Sequence, residues 1–241
     1  AHSIGARYKG RMTGGLTDVS VFSFHAVKNL TTAEGGAVAL CLPAPFDNQK
    51  IYQQLCVKSL HGQSKDALAK MQPGNWRYDI VEPGYKMNMT DIQAAIGLVE
   101  LERYDSDTLK KRKEICLKYR KALSEHSWAE LPVMERNGSE SSYHLFPFRI
   151  KGVDEKGRDA IMKMIFDKDV SVNVHFIPVP MMSFYRNMGY SIEHFPDTYR
   201  LYSSEISLPV FYDITDEQIQ TVVNAVISSA ETELSVKKMI G

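Results

Sequence analysis

Cysteine is scarce in this 241-residue chain: Cys41, Cys56 and Cys116 are widely spaced, and no Cys-x-x-Cys pair occurs. An odd number at such spacing argues against a disulfide framework or a structural zinc site and fits a reducing, cytoplasmic setting. Excess charge is also lacking, because 29 Lys plus Arg balance 29 Asp plus Glu. No global field therefore points to nucleic acid or an anionic membrane as partner. No apolar run reaches the length of a membrane span, and no secretory presequence is visible. Internal repeats and low-complexity tracts are absent as well. The chain starts at Ala1 rather than methionine, and its natural N-terminus is expected upstream.

What is present reads as one large globular domain or two small ones, with 44% apolar and 24% charged residues. Stretches 19–24 and 36–42 have the β-branched and aromatic content of short buried strands. A polar, glycine-bearing loop separates them, and a helical stretch follows at 45–60. Residues 61–82, with Pro73 and Gly74, read as a long loop. Thr90 and Gln93 form a capping-box start. Ile92, Ala95, Ile96 and Val99 then give one apolar helix face. That pattern runs to about residue 124, with a break expected near 105–107. Further on, 143–150 reads as a strand, placed at a sheet edge by Pro147. An amphipathic helix is expected over 156–168 and a strand over 170–176. A second Thr-x-x-Gln cap, at Thr215 and Gln218, opens a helix carrying Ile219, Val222, Val223 and Val226. Strands alternating with helices indicate an α/β or α+β layered architecture. The basic run Lys110-Lys111-Arg112-Lys113 is read as a solvated helix face.

The most chemical segment lies early, in Phe22-Ser23-Phe24-His25-Ala26-Val27-Lys28-Asn29-Leu30-Thr31-Thr32-Ala33-Glu34-Gly35-Gly36. An apolar strand end followed by a lysine suits an amine that must be deprotonated to attack an aldehyde. Ser23, Thr31 and Thr32 offer hydroxyls of the kind a phosphate-bearing cofactor needs. Spacing alone does not decide the matter, and by itself it favours a lysine reaching to solvent beside a threonine-capped turn.

Three blocks go further. They are Ala1-His2-Ser3-Ile4-Gly5-Ala6-Arg7-Tyr8-Lys9-Gly10 with Asp18, the lysine segment itself, and Pro83-Gly84-Tyr85-Lys86-Met87-Asn88-Met89-Thr90-Asp91-Ile92-Gln93-Ala94-Ala95-Ile96-Gly97-Leu98. Val174-His175-Phe176-Ile177-Pro178 and Ser207-Leu208-Pro209 add weaker ones. Together these resemble the DegT/DnrJ/EryC1/StrS family of pyridoxal-phosphate-dependent sugar aminotransferases, over essentially the whole chain. The resemblance implies a fold-type I α/β enzyme: the end of the large cofactor domain at 1–104 and the smaller C-terminal α+β domain at 105–241. It implies pyridoxal 5'-phosphate as cofactor, with Lys28 forming the internal aldimine and moving the proton. Ser23 would bind the phosphate, and His2 would contact the pyridine ring or its 3-hydroxyl oxygen. Lys86 stands where many relatives carry an asparagine that reaches the partner subunit's phosphate, so it would act as a point charge there. Asn88 stands where an arginine is common. His25 and Glu34 are read as structural, the first packed at the strand end and the second fixing the turn. His175 is read as a core histidine. No metal site is expected.

The expected reaction is amino transfer, glutamate being the expected donor, to a keto sugar linked to a nucleotide, in a homodimer with shared active sites. The family's pyridinium-binding aspartate would fall two residues before Ala1, and its phosphate loop and stacking ring earlier still. The chain is therefore expected to be the C-terminal piece of a longer enzyme, its parallel-sheet remnant leaving strand faces uncovered. A truncated, non-catalytic paralogue with an interaction or regulatory role is the alternative.

Overall fold

The computed structural model describes residues 1–64 and 76–240. Its first elements are strands β1 (Arg7–Tyr8), β2 (Arg11–Met12), β3 (Val19–Ser23) and β4 (Gly36–Leu40), then helices α1 (Asn48–Ser59) and α2 (Asp91–Arg103). A π-helical turn, Tyr104–Thr108, leads to helix α3 (Leu109–Leu123). Strands β5 (Ala129–Glu130), β6 (Glu135–Arg136), β7 (Ser139–Glu140) and β8 (Phe146–Ile150) come next. Helix α4 (Glu155–Phe166), short helices α5 (Ser183–Asn187) and α6 (Pro196–Tyr202), strand β9 (Glu205–Leu208) and helix α7 (Asp216–Ile240) complete the chain. Among the described residues no helix is long and apolar enough to cross a membrane. Two compact units result: Ala1–Ser106 with Asn137–Ser142, and Asp107–Arg136 with Tyr143–Gly241. The π-helical turn falls where the sequence pattern predicts a break, and the first unit also takes in 137–142.

In the first unit, β1 pairs antiparallel with both β2 and β7. β3 and β4 form an antiparallel hairpin in register from Val19↔Leu40 to Ser23↔Gly36. The pairing is antiparallel where the resemblance implies a parallel-sheet remnant. Composition predicts buried strands, whereas these show the uncovered faces expected of such a remnant: Val21 is 65% exposed, with Val19 and Val38 also open. A two-stranded hairpin cannot bury a face against itself. Among the described residues this unit fully buries only two large apolar side chains, Leu30 and Tyr104.

Helix α2 starts as the sequence indicates, with the complete Thr90–Gln93 capping box. Its apolar stripe, however, faces outward, Ile92 being 77% exposed and Ile96, Leu98 and Val99 exposed too. The packed side is polar and small. Gln93 Nε2 donates to the Glu34 carbonyl at 2.8 Å. A Cβ on Gly97 would stand 2.9 Å from Thr32 Cγ2, so only glycine lets helix and loop approach this closely. Of the long loop expected at 61–82, residues 65–75, including Pro73 and Gly74, lie outside the described residues.

The second unit holds the hydrophobic core. β8 lies between β5 and β9 in a three-stranded antiparallel sheet. Phe146, Phe148 and Ile150 point to one buried side, as the period of two requires. Against them pack Ile115, Cys116, Tyr119 and Leu123 of α3, Ile161 and Ile165 of α4, and Ile219, Val222, Val223 and Val226 of α7. Burial pushes the Cys116 thiol up to about 12, which makes it unreactive.

Pro147 does not make β8 an edge strand. Ser207, its partner in β9, exchanges both backbone hydrogen bonds with Asn173 at 2.7 and 3.2 Å. The Pro147–Ser207 pair therefore needs no N–H from proline, and β5 reaches only Arg149 and Ile150. The strand expected over 170–176 reduces to that single Asn173 bridge, with Val170 and Val172 buried as core residues. Arg112 departs from its solvated reading as well: it is buried, and it donates to the carbonyls of Tyr143 (3.1 Å) and His144 (2.6 Å). It precedes Ile115, Cys116 and Tyr119 by three, four and seven positions, which puts it on the apolar face of α3.

Asp154 caps α4. The Gly157 backbone N–H, together with the Lys237 ammonium at 3.0 Å, holds its carboxyl down at about 2. A lowered folded value contributes stability above the unfolded pKa, near 3.8, that is lost as pH falls toward 2. Asp154→Ala is thus expected to lower the melting temperature at neutral pH and to flatten its acid dependence between pH 4 and 2. Melting curves of the two proteins converging at low pH would show it.

Candidate active site

The lysine loop is built by extending the β3–β4 hairpin beyond its last registered pair. Phe24 N–H donates to the Gly35 carbonyl at 2.8 Å, and Thr32 N–H to the Phe24 carbonyl at 2.9 Å. The chain between is thereby pinched into a short loop, turned by the Lys28 N–H to His25 carbonyl bond at 2.9 Å. Asn29, Leu30 and Thr32 are buried beneath it, while Lys28 is half-buried at its rim.

Lys28 Nζ lies 2.7 Å from His2 Nε2, across 26 residues of sequence. The N-terminal arm that brings His2 there is tied down at three successive carbonyls. Ser142 Oγ donates to His2 O at 2.6 Å, Thr13 Oγ1 to Ser3 O at 2.6 Å and Tyr104 Oη to Ile4 O at 2.7 Å. The amine–imidazole contact accommodates a proton on either side. As an ammonium, Lys28 donates to a bare Nε2; as a neutral amine, it accepts from an Nε2–H. A nucleophilic amine in contact with a proton acceptor is the arrangement that carbonyl chemistry needs.

The other residues singled out from the sequence are distributed differently. Ser23 ends β3, half-buried, and its Oγ accepts from the His25 N–H at a long 3.4 Å, which leaves the hydroxyl able to donate to an anion. Lys86 is exposed, and its ammonium is bound to Asn88 Oδ1. It belongs to a separate segment clamped onto the C-terminal end of α1: Tyr85 N–H reaches the Lys58 carbonyl at 2.7 Å and Met87 N–H the Ser59 carbonyl at 2.9 Å. Gly84 permits that clamp, because a Cβ there would meet the Gly62 nitrogen at 2.3 Å. His25 is not packed at the strand end. It is exposed, its Nε2 3.6 Å from the Glu34 carboxylate. Glu34 fixes the turn through its carbonyl, which accepts from Thr32 Oγ1 at 2.7 Å as well as from Gln93.

In the second unit, His175 is half-buried, with its ring edge-on to Phe176 at 4.6 Å. Its backbone N–H donates to the Glu205 carboxylate at 2.9 Å. Burial raises the Glu205 carboxyl pKa, opposed by hydrogen bonds from Ser207 and His175. Tyr104, Ser142 and Asn29 join the site only in the folded chain. Nothing in their spacing marks them, because their roles depend on contacts across many tens of residues.

Comparison with known proteins places the chain by family and fold. A Bacillus subtilis spore coat polysaccharide biosynthesis protein, SpsC, is 36% identical over 233 residues, spanning 94% of this chain and 57% of its own length. An uncharacterized protein of Methanocaldococcus jannaschii, MJ1066, is 37% identical over 230 residues with the same coverage, 94% and 57%. Among solved structures, a Streptococcus pneumoniae protein described as a sugar aminotransferase, Spr1654, in its PMP form superposes with a TM-score of 0.90. The two are 39% identical, over 97% of this chain and 58% of that one. The same protein has also been solved in apo and PLP forms. The chain thus spans less than three fifths of the length of these relatives, and its fold is that of the fold-type I aminotransferases. The profile of the DegT/DnrJ/EryC1/StrS aminotransferases matches residues 1–227, and the chain belongs to that family.

Proposed function

We propose that this chain carries the catalytic lysine and part of the cofactor site of a pyridoxal-phosphate-dependent transaminase that aminates a keto sugar linked to a nucleotide, glutamate being the amino donor. The observation that carries the reading is the 2.7 Å contact between Lys28 Nζ and His2 Nε2. The donor set fits the cofactor's aldehyde end: an amine for the carbonyl carbon, an imidazole nitrogen for the neighbouring ring oxygen, and the Ser23 hydroxyl for phosphate. When bound, pyridoxal phosphate supplies a carbonyl that carries the amino group and a ring that takes up electrons. With the cofactor bound, Lys28 Nζ would hold that carbonyl carbon and move a proton beside it, His2 Nε2 would orient the amine, and Ser23 Oγ would hold the phosphate. Lys86, exposed on its own segment, would act as a point charge toward a phosphate supplied across a dimer.

The uncovered apolar strands of the first unit, together with a coverage of 57–58% of the relatives, support a working enzyme with further polypeptide over these faces. An N-terminal segment and a second subunit are the proposed sources. The test uses the full-length protein with pyridoxal phosphate, reduced by borohydride and digested for mass spectrometry. A pyridoxyl group on the Lys28 peptide, with glutamate-dependent amination of a nucleotide-linked keto sugar, is expected. Cofactor fixed elsewhere or nowhere would sink the reading in favour of a non-catalytic paralogue.

A further inference from the structure

We propose that Asn29 is a positioning residue for Lys28, holding the N-terminal arm so that His2 stays within reach of the lysine amine; this rests on the reading of Lys28 as the reactive amine. Asn29 follows Lys28 in the chain and is 6% exposed, so its carboxamide must find its partners inside the protein. Nδ2 carries two hydrogens. One goes to the Ser142 carbonyl at 2.7 Å, the other to the Tyr104 hydroxyl at 3.2 Å. Each of these residues, itself buried, passes a hydrogen bond on to the arm. Ser142 Oγ donates to the His2 carbonyl at 2.6 Å, and Tyr104 Oη to the Ile4 carbonyl at 2.7 Å.

One limb of this relay closes into a ring. Asn29 is bonded covalently to Lys28, reaches Ser142, and through it the His2 backbone; the His2 ring returns to Lys28 Nζ at 2.7 Å. The second limb, through Tyr104, pins the arm two residues further on. Every donor in the relay has a defined direction, so the carboxamide is not interchangeable with a carboxylate, whose lone pairs would face the Ser142 carbonyl. Reactive groups must be held to within about 0.5 Å of their working geometry by partners whose own positions are locked. The ring supplies that lock, and none of its members except Lys28 and His2 has to touch substrate.

The test is made on cofactor-free, full-length protein, with limiting acetic anhydride as probe and peptide mass spectrometry as readout. The ratio of Lys28 to Lys86 acetylation is measured, Lys86 serving as an exposed internal standard. In the unaltered protein Lys28 is expected to be protected relative to Lys86. Ser142→Ala, which cuts the limb to His2, is expected to raise the ratio about fivefold, the population change that accompanies loss of one hydrogen bond. Ser142→Thr, keeping the hydroxyl, should retain the unaltered ratio. Asn29→Asp should move it at least as far as Ser142→Ala, and Tyr104→Phe less, because its limb ends at Ile4. An unmoved ratio in Ser142→Ala would overturn the proposal. Should Asn29→Asp fail to fold, the alanine and threonine variants of Ser142 decide by themselves. No cofactor enters the measurement, so its failure is separate from failure of the functional reading, which the borohydride experiment reports on Lys28 in the unaltered protein.

Discussion

Lys28→Ala is expected to lower amino transfer by the full-length enzyme by about 10²–10⁴-fold through loss of proton transfer alone. Loss of the attachment point for the cofactor adds to this. The physical ground is the placement of Lys28 Nζ: half-buried on a loop pinched shut by the Phe24–Gly35 and Thr32–Phe24 hydrogen bonds, and 2.7 Å from an imidazole nitrogen. Its neighbour Asn29 is buried, so removing the lysine side chain takes away the amine without loosening the loop. Three measurements check this. Steady-state rates should fall while the melting temperature stays within the small range of a surface substitution. Borohydride treatment should no longer fix the cofactor to the chain. His2→Ala, which removes only the partner, should cost less than Lys28→Ala; an equal or larger loss would mean that the two roles had been assigned the wrong way round.

Phe146→Ala is expected to destabilise the second unit by about 3–5 kcal/mol, the cost of deleting a buried aromatic ring and leaving its cavity. Phe146 is fully buried, and its ring stands 5.4 Å from that of Tyr119 at a tilt of 56°. That geometry adds a favourable ring–ring contact to the lost area. Leu98→Ala on α2 is the control. Leu98 is equally apolar by sequence, yet it is exposed in the first unit, so its removal should change stability by no more than about 0.5 kcal/mol. Urea unfolding of the two variants reads both effects. A loss of under about 1 kcal/mol for Phe146→Ala would contradict the packing described for the three-stranded sheet.

Local chemistry is the part of this protein that its sequence states openly. The Thr90–Gln93 and Thr215–Gln218 boxes mark two helix starts that the structure contains, because a cap is a contact between residues three apart. The lysine loop and the Gly84 segment could be marked from short blocks for the same reason. Long-range consequences were not legible. Pro147 reads as an edge residue until Ser207 is seen to turn its hydrogen bonds toward Asn173. Arg112 reads as solvated until the Tyr143 and His144 carbonyls appear beside it.

Helices α2 and α7 show the division most clearly. Each opens with a threonine and a glutamine in a capping box, and each carries an apolar stripe at helical spacing. From the sequence alone both are helices, and both stripes are candidates for the core. The tertiary structure buries Ile219, Val222, Val223 and Val226 against the sheet and leaves Ile92, Ile96 and Val99 exposed. Hydrogen-bond geometry within a turn depends on neighbours in the chain, whereas burial depends on what surface another element presents. The same distinction applies to Lys28: its sequence neighbours make it a nucleophile candidate, and the folded N-terminal arm brings His2 to its amine.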